Sequence, residues 1–282
     1  MTHYGKTFKH LRKEKGISIA SAAAGVVSKS FLSRFERGLS NISFAKMVDL
    51  LVNINVSVTE FIYLDAVRNG QLPAFHYEET TDYVDNQQLT HPDSYRRQYY
   101  QTGSDHDYLN YLKAKSQARQ PLSASQRQFV YDYLFGTETW THFEGRLFMA
   151  TLTLFSTDQV FILTKQMVKN GSETIDVNWN HQADFLYIIL KAALIMAFAG
   201  NEKALSTLIS LAHKSIHNQQ YLYEKSELHF LEGLRLYLAG DNVKGKKAVT
   251  ETLQVFDTLS APALVKLYQQ YWRLFLKRNA LN

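Results

Sequence analysis

Ser28-Lys-Ser-Phe-Leu-Ser-Arg-Phe-Glu-Arg-Gly38 decides how this chain is read. Ser28 carries the hydroxyl of an N-cap, able to accept from an orphan backbone N–H one turn on. Leu32 and Phe35, with Phe31 beside them, make an apolar stripe, and Lys29, Ser30, Ser33, Arg34 and Arg37 crowd the other face. Gly38 can take the left-handed conformation that ends a helix. A short helix with basic and hydroxyl side chains outward suits a major groove, where Arg and Lys pair with guanine acceptors and Ser with either groove partner. Taken alone, the pattern also describes an ordinary amphipathic surface helix. The flanking residues decide between the two.

Before it, a helix is predicted from about His3 to Lys15, with Phe8 and Leu11 inward and Gly16 as its stop. Ser18 caps a second helix, Ile19 to Ala24, whose alanines permit close approach, and Gly25-Val26-Val27 makes the turn. After it, Ser43 caps a fourth helix with Phe44, Met47, Val48, Leu50 and Leu51 on its apolar side. Ser57-Val58-Thr59-Glu60 opens a fifth as a capping box, and the helix continues through Phe61, Ile62 and Leu64 to about Asn69. Five short helices with a tight glycine turn between the second and third describe a DNA-binding helix-turn-helix domain.

Charge points the same way. Between Lys6 and Arg68 stand ten lysines and arginines against five aspartates and glutamates, which accounts for the whole net charge of +5 over 282 residues. A compact basic unit on a neutral body is the footprint of a nucleic-acid-binding module joined to something else. With 45% hydrophobic and 20% charged residues the chain is globular, and its length suggests two unequal domains. It has no cysteine, which excludes disulfides and thiolate metal sites and fits a reducing cytosol. Met-Thr-His-Tyr-Gly-Lys lacks an apolar core of the signal-peptide kind. Phe185 to Ala199, the longest apolar stretch, is interrupted by Lys191 and falls short of the ~20 residues that span a bilayer. A cytoplasmic protein without membrane contact is expected.

Residues 5–64 resemble the phage-repressor-type (XRE, lambda-repressor-like) domain, and most of all its variant in the Rgg/GadR/MutR transcriptional regulators of Gram-positive bacteria. Gly-Lys-Thr-Phe-Lys-His-Leu-Arg-Lys-Glu-Lys-Gly at the start and Phe35-Glu-Arg-Gly-Leu-Ser-Asn-Ile-Ser43 carry the resemblance. It implies that Arg12 pairs with Glu36, which makes Glu36 a structural anchor and not a base reader. It also implies that Lys29, Ser30 and Arg34 fall where the class reads base edges, and Ser33, Arg37, Asn41, Ser43 and Lys46 where it holds phosphates. Phosphate contacts supply most of the affinity and the outward trio the discrimination. Phe31 departs from a position that is often polar.

Residues 70–92 read as a linker, diluted by Pro73, Glu78-Glu79 and a polar run from Thr80 to Thr90. This divides the chain into 1–69, the linker, and 93–282. From Ser94 onward the apolar period is helical, with helices predicted at about 94–101, 105–118, 123–135, 138–155, 157–169, 178–199, 201–215, 218–239, 241–257 and 261–279. Phe155-Ser-Thr-Asp158, Ala199-Gly-Asn-Glu202 and Ala239-Gly-Asp-Asn242 repeat one punctuation, at positions 44 and 40 residues apart. The predicted fold is therefore all-α: the helix-turn-helix domain followed by an α-solenoid of tetratricopeptide-like (TPR-like) helix pairs, an irregular bundle being the alternative. Trp140-Thr-His-Phe-Glu-Gly-Arg-Leu-Phe148 resembles a segment common in Rgg-type proteins. The resemblance implies a homodimer that acts in quorum sensing, with a short signalling peptide bound in the helical domain.

No motif supports catalysis, a cofactor or a metal site. Gly240-Asp-Asn-Val-Lys-Gly-Lys246 imitates a phosphate-binding loop but lacks the following Ser or Thr and the preceding strand. His213 and His217 stand one turn apart without a third ligand nearby. The tyrosines of Tyr95-Arg-Arg-Gln-Tyr-Tyr100, with Tyr108 and Tyr111, suit stacking on a ligand or packing between helices. Arg146, Tyr187, Lys191 and Arg235 sit in otherwise apolar helices and are the candidates for a peptide groove, structural pairing being the other reading of each cation. The expected partners are double-stranded operator DNA, a signalling peptide, a second copy of the chain and RNA polymerase. The rival reading is a helical-repeat interaction module with a basic head that binds protein or only non-specific DNA.

Overall fold

The computed structural model describes residues 4–69, 91–170, 179–216 and 221–279. The chain divides into two compact units, Met1–Thr81 and Asp82–Asn282. The linker expected at 70–92 lies outside the described residues except for its last two positions, where Pro92 already opens a helix.

The first unit holds α1 (Tyr4–Glu14), α2 (Ile19–Ala23), α3 (Lys29–Glu36), α4 (Phe44–Asn53) and α5 (Val58–Arg68). A serine starts each of the last four. Ser18, Ser28, Ser43 and Ser57 accept from a backbone N–H three residues on, and Glu60 returns the bond to the Ser57 N–H to complete a capping box. Phe8, Leu32, Leu50, Ile54 and Phe61 are buried in one core, each contributing about 1.5–3 kcal/mol. Phe44 departs from the expected apolar side. It occupies the first position of α4 and is 72% exposed, because the buried stripe begins a turn later at Met47.

The second unit begins with α6 (Pro92–Thr102), α7 (Asp105–Gln117), α8 (Ala124–Gly136), α9 (His142–Thr151) and α10 (Thr157–Asn170). It continues with α11 (Trp179–Phe198), α12 (Glu202–Ser215), α13 (Leu222–Leu238), α14 (Asn242–Thr258) and α15 (Pro262–Asn279). There is no strand among the described residues. The helix expected over 138–155 is shorter. Thr141 and Glu144 form a capping box that starts α9 there, which lets the non-helical Trp140 insert fully into the core, and the end tightens into a 3₁₀ turn at Leu152–Leu154.

The repeated punctuation is structural. Gly200 and Gly240 take left-handed φ values of 69° and 91°, and the side chains of Asn201 and Asp241 then cap α12 and α14 at 3.1 Å each. α11 pairs with α12 and α13 with α14, while α11 also packs on α13 and α15. Described from Asp184 onward, α11 is buried on most sides, as a helix in the middle of a core must be. α13 and α14 approach through Gly233 and Gly245; a side chain at either would press on the other's carbonyl oxygen. No single helix among the described residues is long and apolar enough to cross a membrane.

Candidate functional site

α3 is held by contacts that come from far away in sequence. Arg12 on α1 donates Nε to Glu36 Oε1 at 2.6 Å and Nη2 to Oε2 at 2.8 Å, and its Nη1 reaches the Ile17 carbonyl at 2.8 Å. Both partners are buried, and the paired carboxylate keeps the guanidinium above its ordinary pKa against the opposing pull of burial. Gly5 packs so tightly on the end of α3 that an added methyl would overlap the Phe35 carbonyl. From α4, Asn53 donates to the Ala22 and Ala24 carbonyls at 3.0 and 2.9 Å and fastens the turn between α2 and α3. Neither Gly5 nor Asn53 carried a signal in the sequence, since each contact lies about 30 residues away.

The outer face of α3 is consequently fixed. Lys29, Ser30 and Arg34 are exposed on it, with the Ser30 hydroxyl 3.0 Å from that of Ser28. Ser33 is half-buried, and its carbonyl accepts from Arg37 Nε at 3.2 Å, which leans Arg37 back along the helix. Asn41, Ser43 and Lys46 are exposed in the loop and first turn that follow, with the Ser43 hydroxyl accepting the Lys46 N–H at 3.4 Å. Phe31 is half-buried. The backbone N–H groups at the start of α4 and the nearby lysine and serine can hold a phosphate, while the α3 side chains reach further out.

In the second unit the four candidates do not form one group. Tyr187 and Lys191, one turn apart on α11, come together: Lys191 Nζ lies 4.9 Å from the Tyr187 ring centre and 2.7 Å from Glu227 Oε1 on α13. Burial pulls the lysine pKa down, but the charge of Glu227, the neighbouring Tyr187 and Tyr223 and the bond to Glu227 together outweigh it and leave Lys191 above the ordinary lysine value. Tyr187, Tyr223 and Tyr268 are all raised, first by burial and also by the charge of Glu227, which Lys191 opposes at Tyr187 and Tyr223. The Tyr223 and Tyr268 hydroxyls lie 3.3 Å apart. Arg146 is buried on α9, its Nε 3.3 Å from His142 Nε2 and 3.8 Å from Asp184. Arg235, two turns along α13 from Glu227, stands 3.4 Å from Glu202. Glu227 escaped the sequence reading because a lone acid in an amphipathic helix reads as a surface charge.

The remaining motifs resolve structurally. Tyr99 and Tyr108 pack with tilted rings 4.6 Å apart between centres and Tyr108 meets Phe129 edge-on at 5.1 Å, whereas Tyr100 is exposed. Gly240 turns, Asp241 caps, and Gly245 and Lys246 lie within α14. His213 bonds Glu232 at 2.6 Å, and His217 lies outside the described residues. Among the described residues no three His, Cys, Asp or Glu side chains are grouped to share a metal ion.

Residues 85–270 match the family model of the C-terminal domain of the HTH-type transcriptional regulator Rgg, and residues 8–61 match a helix-turn-helix model. The chain is similar to the crystal structure of the SHP pheromone receptor Rgg2 of Streptococcus dysgalactiae, at 25% identity and a TM-score of 0.74, over 96% of this chain and 99% of that one. A candidate transcriptional regulator from Listeria monocytogenes EGD-e shares the fold at 16% identity and a TM-score of 0.80, with 99% of both chains covered. So does ComR from S. thermophilus, solved with DNA and its signalling peptide ComS, at 11% identity and 0.59, over 95% of this chain and 97% of that one.

Proposed function

Because this chain belongs to the Rgg family of helix-turn-helix transcriptional regulators, we propose that it reads an operator with Lys29, Ser30 and Arg34 under the control of a short peptide. The observation that carries the DNA reading is the tied recognition helix: Arg12 and Glu36 fix the back of α3 while three unburied polar side chains project from its front. Ser33, Arg37, Asn41, Ser43 and Lys46 hold the flanking phosphates and set the salt dependence. A homodimer places two such helices in successive major grooves about 34 Å apart on a pseudo-palindromic site.

Peptide control is supported by the similarity to a pheromone receptor over nearly the whole chain. The second unit receives the peptide beside Tyr187 and Lys191. Binding that favours one dimer geometry over another shifts which arrangement meets the operator, or which surface meets RNA polymerase. Titrating the full chain against the duplex upstream of its own gene and a scrambled duplex at matched salt tests the DNA reading. The expected result is a preference on the order of 10³ or more. A ratio near one would favour a helical-repeat interaction module with a non-specific basic head.

A further inference from the structure

Two buried ion pairs in this protein differ in completeness. In the Arg12–Glu36 pair both carboxylate oxygens accept a guanidinium N–H. Glu227 is only 1% exposed, yet one oxygen alone is satisfied, by Lys191, and Oε2 has no hydrogen-bond partner among the described residues. An unmet buried acceptor of this kind is costly, and more so when charged. A pair serving stability alone has no reason to carry that cost.

The surroundings define what is missing. Lys191 is 17% exposed in its side chain, so the pair lies just beneath the surface. Tyr223, one turn before Glu227 on α13, is the most exposed member of the cluster at 36%. Tyr268 and Tyr271 of α15 complete it, Tyr271 standing 5.6 Å from Tyr268 between ring centres. Lys191 and Glu227 already neutralise one another, so another full charge beside them would stand uncompensated in a desolvated place. A neutral group that offers an N–H and a carbonyl together is complementary. Its N–H meets Glu227 Oε2, and its carbonyl takes one of the ammonium protons that Glu227 leaves unused, since an ammonium has three donors and no acceptor.

We propose that Lys191 and Glu227 together grip the main-chain N–H and C=O of one residue of the bound peptide, beside the partly exposed rings of Tyr187 and Tyr223. The proposal rests on the peptide-receptor reading above and adds the chemistry of one contact. The grip is blind to the residue's side chain but requires an unsubstituted amide nitrogen at one position.

The test uses the full-length chain and a pool of synthetic N-acetylated, C-amidated hydrophobic octapeptides, captured and identified by mass spectrometry. The best binder is fluorescently labelled, and its affinity is measured for the wild type, for the near-isosteric Glu227→Gln, and for Lys191→Met/Glu227→Leu, which replaces the pair by apolar groups of similar volume. Each protein's fold is checked by circular dichroism. In Glu227→Gln the carboxamide oxygen stays with Lys191 and a donor replaces the acceptor. The expected result is a loss of at least tenfold in both variants. N-methylation of one peptide position should cost the wild type at least tenfold and Glu227→Gln little. Equal affinity in the wild type and Glu227→Gln, or an N-methyl scan with the same profile in both, would overturn the amide grip and leave peptide reception standing. Failure of the wild type to capture any peptide would overturn the receptor reading itself, and the grip with it.

Discussion

Replacing Glu36 by alanine is the sharpest single perturbation of the first unit. The change deletes two charge-assisted bonds, at 2.6 and 2.8 Å, and leaves the Arg12 guanidinium buried with the Ile17 carbonyl as its remaining acceptor. Removing one member of a buried pair costs about 3–5 kcal/mol, because the other charge stays uncompensated. A unit of this size loses roughly 4–8 °C of melting temperature per kcal/mol, so its transition should fall by at least about 12 °C. Hydrogen exchange on the full chain follows that unit separately: protection should drop in α1 and α3 while the second unit keeps its own. Arg12→Met/Glu36→Leu removes both charges at once and should recover to within roughly 1 kcal/mol of the wild type. A Glu36→Ala protein within about 0.5 kcal/mol of the wild type would refute the reasoning, because the pair could not then be what holds α3.

Lys46→Ala should weaken binding to every duplex about equally and lower the slope of log K against log salt by about one, as read from titrations at several salt concentrations. Gly5→Ala should push α1 from the end of α3, since its methyl would meet backbone and not a movable side chain; a destabilisation of roughly 1–3 kcal/mol in a denaturant melt checks it. Burial, and then the bond it donates to Glu144 at 2.6 Å, push the Tyr133 phenol up to about 12. The folded state thus favours the neutral phenol, and its contribution is complete below the ordinary tyrosine pKa of about 10 and is lost as the pH rises toward 12. Absorbance titration of the wild type against Tyr133→Phe should show one tyrosine missing from the late-ionising group.

The first unit was legible because its signals are local. A serine three residues before the backbone N–H it caps, a glycine at the helix's end and an apolar stripe between them are all contained in a dozen residues, as Ser28 to Gly38 shows. The second unit's periodic turns were legible for the same reason, through Gly200-Asn201 and Gly240-Asp241. What escaped depends on partners brought from far away. Trp140 is a local exception: it falls inside the helix predicted over 138–155, whereas the Thr141–Glu144 box starts α9 only after it. Gly5 looked like any residue of a first turn until α3 arrived against it. Glu227 became informative only when Lys191, 36 positions earlier, was found to satisfy one of its oxygens and leave the other.

Interference by methylation of guanine N7 tests the central claim most directly, because it reports major-groove contact base by base. Arg34 is exposed on the outer face of α3 and has the fork that pairs with guanine O6 and N7. The wild-type chain on its upstream duplex should show interference at guanines in two half-sites about one helical turn apart. Arg34→Ala should lose that interference at its own base, with ~1–3 kcal/mol of specific affinity. An identical interference pattern and affinity in the variant would mean that the outer face of α3 does not read the operator.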